Sequence, residues 1–547
     1  MMGAQSSFNI YFYRQTPCGP IARVKGMDNI KRDQSQNEWD VIVIGSGMGG
    51  MAAAAALSRT GHKVLLLEQY HTLGGLTHSF SREGFTWDVG IHYLGGLAPG
   101  DPEKDLLDWL CTKPIEFASM GAVYDILHVG DSEPLRLSRP YEAQELDFKA
   151  RFPEETEAIE GWTDAMRKGR EALMTAMQVR SLPVPFGAGL KWWKHNELNK
   201  WCGRTTNEVA RSLTDNDDLV RALTSQWGDF GGRPSTASFA LHAMAVGSYL
   251  ESGAWYPVGG GAAFAQHILP TISAGGGDAR AGVKVASLLL EDGRVVGVTT
   301  EDGETIRADT VISNIGARET VESLLPNDCC HQDWIEEIRA LNPNVAHFSL
   351  FLGFEGDIES AGATKSNHWI YPTGAVDTLW DDVPDGAPPG FFVSFASLKD
   401  PAHDPGPSQK HVGEVLTLTD WSSVERWAMK SPGARGADYQ EFKQSVEQRM
   451  FEQFENYFPQ LAKLVVHREL ATPLTTVSTT GHFQGAFYGL DVSPKRVFSE
   501  ALRMKTPIKG LYLSGQDVCS PGIAGALWGG VLSAANVDRK VFLHFPT

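Results

Sequence analysis

Near the start of the chain, Gly45, Gly47, Gly50 and Glu68 have the types and the spacing to hold a dinucleotide. In a GxGxxG turn the first glycine permits a tight turn and the second lets backbone approach a pyrophosphate. The third lets a helix pack close to its strand, and a carboxylate about 20 residues further on accepts from ribose hydroxyls. A second stretch, "YLSGQDVCSPGIAGALWGG" at 512–530, offers related chemistry. Its polar glycine turn runs into a small-residue helix start, where unpaired backbone N–H groups can hold an anion. Such cradles ordinarily open a nucleotide-binding fold, so a second one far along the chain needs its own reason.

The elements that must position these residues are legible. Val41–Ile44 is a continuous apolar run, as a buried parallel strand should be. Residues 48–60 are rich in alanine and free of proline, which predicts a helix, with Gly61 as its stop. Val64–Leu67 reads as a second buried strand, with Glu68 at its C-terminal end. At this level NAD and FAD both remain open. Further on, 283–290 and 294–300 read as short strands around the hairpin signal Asp292-Gly293, and Asp302-Gly303 precedes a strand leading to Ile312. Apolar runs at 345–354, 391–398 and 415–419 predict a mixed sheet, roofed by a helical stretch at 140–250.

Composition excludes several classes. A chain of 547 residues supports more than one core, and 42% apolar with 21% charged residues is the balance of a globular protein. A formal net charge of −18 argues against nucleic acid as a partner. Six cysteines without a CxxC pair read as small buried residues in a reducing, cytoplasmic setting, and no His, Cys, Asp and Glu cluster suggests a metal. No stretch approaches the ~18 apolar residues of a membrane span. Residues 1–38 read as a loose tail with no secretory pattern. No second GxGxxG follows a buried strand, so an integral NAD(P)H domain is not expected and an external electron donor or acceptor is.

The segment after Glu68 distinguishes the cofactors. It reads "YHTLGGLTHSFSREGFTWDVGIHYLGG", with the pair Gly74-Gly75 and then Asp88 and Gly90. This resembles flavoproteins of the amine oxidase and phytoene desaturase superfamily. Within it, "GFTWDVGIHYLGG" (84–96), "WYPVGGGAAFAQHILP" (255–270), 283–314 and "TPLTTVSTTGHFQGAFYGL" (472–490) resemble the retinol saturase and carotenoid cis-trans isomerase branch. The resemblance implies an α/β fold. A Rossmann-like FAD domain of the glutathione-reductase/amine-oxidase type is interleaved with a mixed-sheet plus helical substrate domain. The FAD domain would comprise 39–115, 251–344 and 472–547, and the substrate domain 116–250 and 345–471.

FAD also explains the second cradle, because the first holds only its ADP half. The contacts implied are Gly45, Ser46, Gly47, Met48, Gly49, Gly50, Glu68, Gln69, Gly74, Gly75, Leu76, Thr77, Val285, Gly515, Asp517, Gly522, Ile523 and Ala524. Val285 would offer backbone to the adenine, and Asp517 would accept from the ribityl chain. Leu76 stands where the family usually has an arginine, leaving Thr77 as the available donor. The resemblance puts His92 and Tyr93 near the redox edge of the flavin, with Tyr488 facing them. Each is a candidate for proton transfer, and His92 and Tyr93 are equally candidates for plain residues of the cofactor wall.

The implied activity is oxidoreduction at a carbon–carbon double bond of a lipophilic conjugated polyene, most directly saturation. Cis-trans isomerisation or desaturation is the nearest alternative. An amine oxidase would need a lysine beside the flavin that the sequence does not reveal, and a flavin-free binding protein like the Rab GDP-dissociation inhibitors would not need Glu68 and Asp517. At 180–204, Trp192, Trp193 and Trp201 stand among Arg180, Lys191, Lys194, Lys200 and Arg204, against Glu197 alone. Aromatic anchors among cations suit peripheral contact with a membrane.

Overall fold

The computed structural model describes residues 39–382 and 386–545; the tail expected at 1–38 lies outside them. A five-stranded parallel sheet has the order Leu511–Leu513, Val311–Ser313, Val41–Ile44, Val64–Leu67 and Asp278–Arg280. Its central strands are apolar at every position because both faces are covered. The helix Met48–Arg59 lies against the helices Gly522–Val537 and Ala262–Ala274. Its alanines at 52–56 are fully buried, and side chains that small let backbone approach backbone. At Asp292-Gly293 both residues have positive φ, 50° and 72°, which is the hairpin geometry that this dipeptide favours.

A seven-stranded mixed sheet forms the second layer system. Its order is Val465–Ala471, Ala346–Glu355, Lys410–Thr419, Phe391–Ser394, Asn367–Tyr371, Val123–Val129 and Leu135–Ser138. The expected runs at 345–354, 391–398 and 415–419 supply three of these strands, although residues 396–399 turn into a short helix. Helices between Tyr141 and Ser252 roof the sheet, led by the packed pair Thr156–Ser181 and Phe239–Ser252. Trp227 anchors a short 3-10 helix, Ser225–Asp229, beneath that roof. The residue is 2% exposed and its Nε1 donates to Val376 O at 2.7 Å. Burying one such side chain contributes about 1.5–3 kcal/mol.

Candidate functional site

A cavity of about 980 Å³ runs between the parallel sheet and the seven-stranded sheet. That is the upper end of the ~300–1,000 Å³ in which proteins ordinarily enclose a small molecule. Gly45, Gly47, Met48, Gly49, Glu68, Gln69, Gly75, Leu76, Thr77 and Val285 border it, and so do Gly515, Asp517, Gly522, Ile523 and Ala524. Ser46, Gly50 and Gly74 stand behind this wall and shape it. Ser46 donates its N–H (2.9 Å) and its hydroxyl (2.8 Å) to Glu68 Oε2, and Gly74 N donates to Ser46 Oγ at 2.9 Å. A Cβ at Gly50 would lie 1.9 Å from Gly45 O, so no other residue lets this helix sit on this turn. Among the described residues Glu68 Oε1 accepts only from Tyr70 N, at 2.9 Å, which leaves it capacity on the cavity side.

Two helix starts meet at the cavity. Neither Met48–Arg59 nor Gly522–Val537 has a side chain on its N-cap residue that caps it or an acidic residue in its first turn. Gly522 N donates to Gln516 Oε1 at 3.3 Å, and the N–H groups that follow it, like those at the start of Met48–Arg59, can turn toward an anion. Asp517, 3% exposed, ties the second cradle together. Its Oδ2 accepts from Ala317 N at 2.8 Å and its Oδ1 from Leu490 N at 3.0 Å. Burial and the Asp517 charge push the neighbouring Glu319 carboxyl up to about 8.

At the inner end stand His92, Tyr93 and Tyr488, all bordering the cavity. Burial, then the charges of Lys399 and His347, pull His92 down to about 3, so its imidazole is neutral at neutral pH. Its Nδ1 is 3.7 Å from Glu414 Oε2, too far for a hydrogen bond, and burial raises that carboxyl to about 8. The pair is therefore a neutral ring facing a carboxylic acid rather than a salt bridge. Burial also raises both tyrosine hydroxyls, reinforced at Tyr93 by Asp125 and Asp229 and at Tyr488 by Asp229.

Several polar residues here escape motif reading. Asp125, Asp229, Lys399 and Glu414 are charges set in apolar or glycine-rich stretches such as "QWGDFGG" and "FFVSFASLK", and that setting is the signal they offer. Lys399, 1% exposed, donates to His92 O (2.9 Å), to Ser394 Oγ (2.7 Å) and to Asn367 Oδ1. Burial pulls its ammonium down to about 7.

A parallel α/β sheet with two uncapped helix starts, a ribose-type carboxylate and glycine-lined backbone at one cavity defines a dinucleotide-binding flavoprotein. The donor set fits FAD: N–H groups for a pyrophosphate at one helix start, a carboxylate at each cradle, and small residues where a flat ring could lie against backbone. All-trans-retinol 13,14-reductase of Danio rerio is 31% identical over 532 residues, covering 93% of this chain and 87% of the relative. A chloroplastic prolycopene isomerase of Daucus carota is 27% identical over 529 residues, covering 93% and 81%. In fold, an oxidoreductase from Methanosarcina mazei superposes with a TM-score of 0.61 at 18% identity, over 90% of this chain and 98% of that one. The chain belongs to the flavin containing amine oxidoreductase family, whose pattern matches residues 48–538. It is an FAD-dependent oxidoreductase, and the resemblance drawn from residues 84–96 and the later motifs holds.

Proposed function

We propose that this enzyme acts on a carbon–carbon double bond of a lipophilic conjugated polyene of the retinoid or carotenoid kind, most directly saturating it. The observation that carries this reading is a row of apolar side chains on the cavity wall. Trp369 lies opposite Phe392, and Phe392 opposite Leu416, on adjacent strands of the seven-stranded sheet. Residues directly opposite one another share a face, and all three border the cavity. Such a wall suits a long apolar chain. Lys399 does not border the cavity, and its three acceptors disfavour a role in amine oxidation.

Bound FAD supplies hydride chemistry. Gly45 to Gly50 with Glu68 would hold its ADP half, and Asp517 with the helix start at Gly522 would hold the other. That helix start favours an anionic ring by about 0.3–1 kcal/mol, up to ~2 when buried. A proton for the second carbon comes from the wall that carries Tyr93 and Tyr488, and electrons come from an external donor.

The substrate approaches past Met174 and Phe542, which border the cavity and are about half exposed. Arg170, Met174, Met177, Gln178 and Ser181 recur at helical spacing, so one face of Thr156–Ser181 forms this flank. Exposed Phe186, Trp192 and Trp193 on the adjoining helix Val184–Trp193 make peripheral contact with anionic lipid. No helix among the described residues is long and apolar enough to cross a membrane.

Mass spectrometry after anaerobic incubation of reduced enzyme with all-trans-retinol or prolycopene tests the reaction. A gain of two hydrogens supports saturation. Unchanged mass with altered retention assigns isomerisation instead, the reading that the prolycopene isomerase relative favours. Oxidation of amines with no polyene altered overturns both.

A further inference from the structure

The hydroxyl of Tyr93 lies between two carboxylates. It is 2.9 Å from Asp125 Oδ2, 2.9 Å from Asp229 Oδ1 and 2.8 Å from Asp229 Oδ2. A phenol has one proton to donate, so it cannot satisfy both acids as anions, and two carboxylates this close do not both ionise. The surroundings decide which one keeps the charge. Asp125 is fully buried and accepts from Asn367 Nδ2, Trp369 Nε1 and Gln226 Nε2, each at 2.9 Å. Asp229 has Tyr93 alone among the described residues. The proton therefore sits on Asp229, which donates to Tyr93, and Tyr93 donates to Asp125.

Electrostatics agree. Burial first, then the Asp125 charge, hold the Asp229 carboxyl well above the usual carboxylate range. The groups that face it are Asp125 and the phenols of Tyr93, Tyr124, Tyr249, Tyr371 and Tyr488. None is a cation, and the buried ammonium of Lys399 acts on Asp125. Asp125 does not border the cavity and Asp229 does, beside Tyr249, Trp369 and Phe392. Trp227 and the Tyr371 hydroxyl, which donates to Ser225 O, hold the short helix that ends in Asp229.

We propose that Asp229 is the general acid of this site and that its carboxyl proton goes to one carbon of the reacting double bond. Tyr93 and Asp125 act as positioning residues that keep the proton on it. The proposal rests on the polyene reading above. In saturation, one carbon gains a hydride, the equivalent that reduced FAD supplies after an external two-electron donor has loaded it. The other carbon gains the Asp229 proton. The π bond is replaced by two C–H bonds, and the Asp229 carboxylate takes a proton back from solvent through the cavity mouth.

The test uses the FAD-loaded enzyme, reduced anaerobically and mixed with all-trans-retinol, following flavin reoxidation in a single turnover. Asp229→Asn is expected to keep its flavin content, its melting temperature and its quenching by retinol, and to slow reoxidation by about 100-fold or more. In the wild type the rate falls as pH rises, because the acid is lost. Asp125→Asn moves that falling limb to lower pH, since it removes the charge that holds the Asp229 proton. A retinol-independent readout is the protonated-carboxyl infrared band. Glu319 and Glu414 also contribute to it, so the Asp229 part is taken as the wild type minus Asp229→Asn difference. Should Asp229→Asn not fold, Tyr93→Phe serves, and it is expected to shift the band by removing the acceptor. An Asp229→Asn rate within about threefold of wild type overturns the proposal. So does a pH limb that Asp125→Asn leaves in place, or a wild-type band that lacks the Asp229 component. A wild type that alters neither retinol nor prolycopene overturns the polyene reading, while the band still reports on Asp229.

Discussion

Glu68 takes both the backbone N–H and the hydroxyl of Ser46 on a single carboxylate oxygen, Oε2. The carboxylate thus holds the glycine turn in shape while its other oxygen remains available at the cavity.

Replacing Glu68 should therefore affect the cofactor more than the fold. Hydrogen bonds to a charged group contribute about 1.5–3 kcal/mol, so losing them should weaken FAD binding on the order of 10- to 100-fold. Glu68→Arg also brings a cation to the turn, and we expect it to purify largely colourless, with Glu68→Gln intermediate. The absorbance ratio of flavin to protein measures this. A fully flavinylated Glu68→Arg protein would mean that Glu68 is not a cofactor ligand.

The two cradles meet at Gly49. A Cβ there would lie 2.4 Å from Asn314 Oδ1, 2.6 Å from Gly515 Cα and 2.9 Å from Ala526 O, and backbone cannot move aside cheaply. Gly49→Ala should cost about 1–3 kcal/mol and lower flavin content. Gly189 offers the contrast: it is an exposed helical position with nothing within 4 Å of a Cβ. Gly189→Ala should stabilise by roughly 0.4–1 kcal/mol. Thermal melts of the two variants that coincide would contradict this packing.

His242 sets an acid sensitivity. It is fully buried among the rings of Trp162, Phe230 and Phe239, neither ring nitrogen has a partner among the described residues, and burial pulls it down to about 3. The unfolded chain takes up this proton at an ordinary histidine pKa, near 6.5, before the folded one does. Its stability contribution is therefore fully present above that pH and is lost as pH falls toward 3, at up to ~1.4 kcal/mol per pH unit. His242→Phe should melt at a more nearly constant temperature between neutral and mildly acidic pH. An equal drop in wild type and variant would locate the sensitivity elsewhere.

The three tryptophans of 180–204 divide in the structure. Trp192 and Trp193 are 82% and 72% exposed, whereas Trp201 is 7% exposed and packs on Phe239. Flotation with anionic vesicles should fall severalfold for Trp192→Ser combined with Trp193→Ser, because it removes the exposed aromatic anchors. Equal flotation of wild type and variant, or none for either, removes the membrane proposal.

The sequence alone determined what is contiguous. Residues 41 to 68 contain a strand, a turn, a helix and a strand whose partners lie within a few turns of chain, so glycine spacing and apolar runs describe the first cradle without tertiary knowledge. Asp292-Gly293 specified its hairpin for the same reason, since φ at two residues decides it. The second cradle was legible through its motif. What only the tertiary structure decided is the inner end of the cavity. Tyr93 meets carboxylates 32 and 136 residues away, and Lys399 meets a carbonyl 307 residues away. Strand register aligns Trp369, Phe392 and Leu416, and nothing local to any of them encodes that alignment. Charge state follows the same division: a carboxyl reads as an anion in sequence, and only burial beside a second carboxylate turns Asp229 into an acid, because desolvation and like charge both penalise its ionised form.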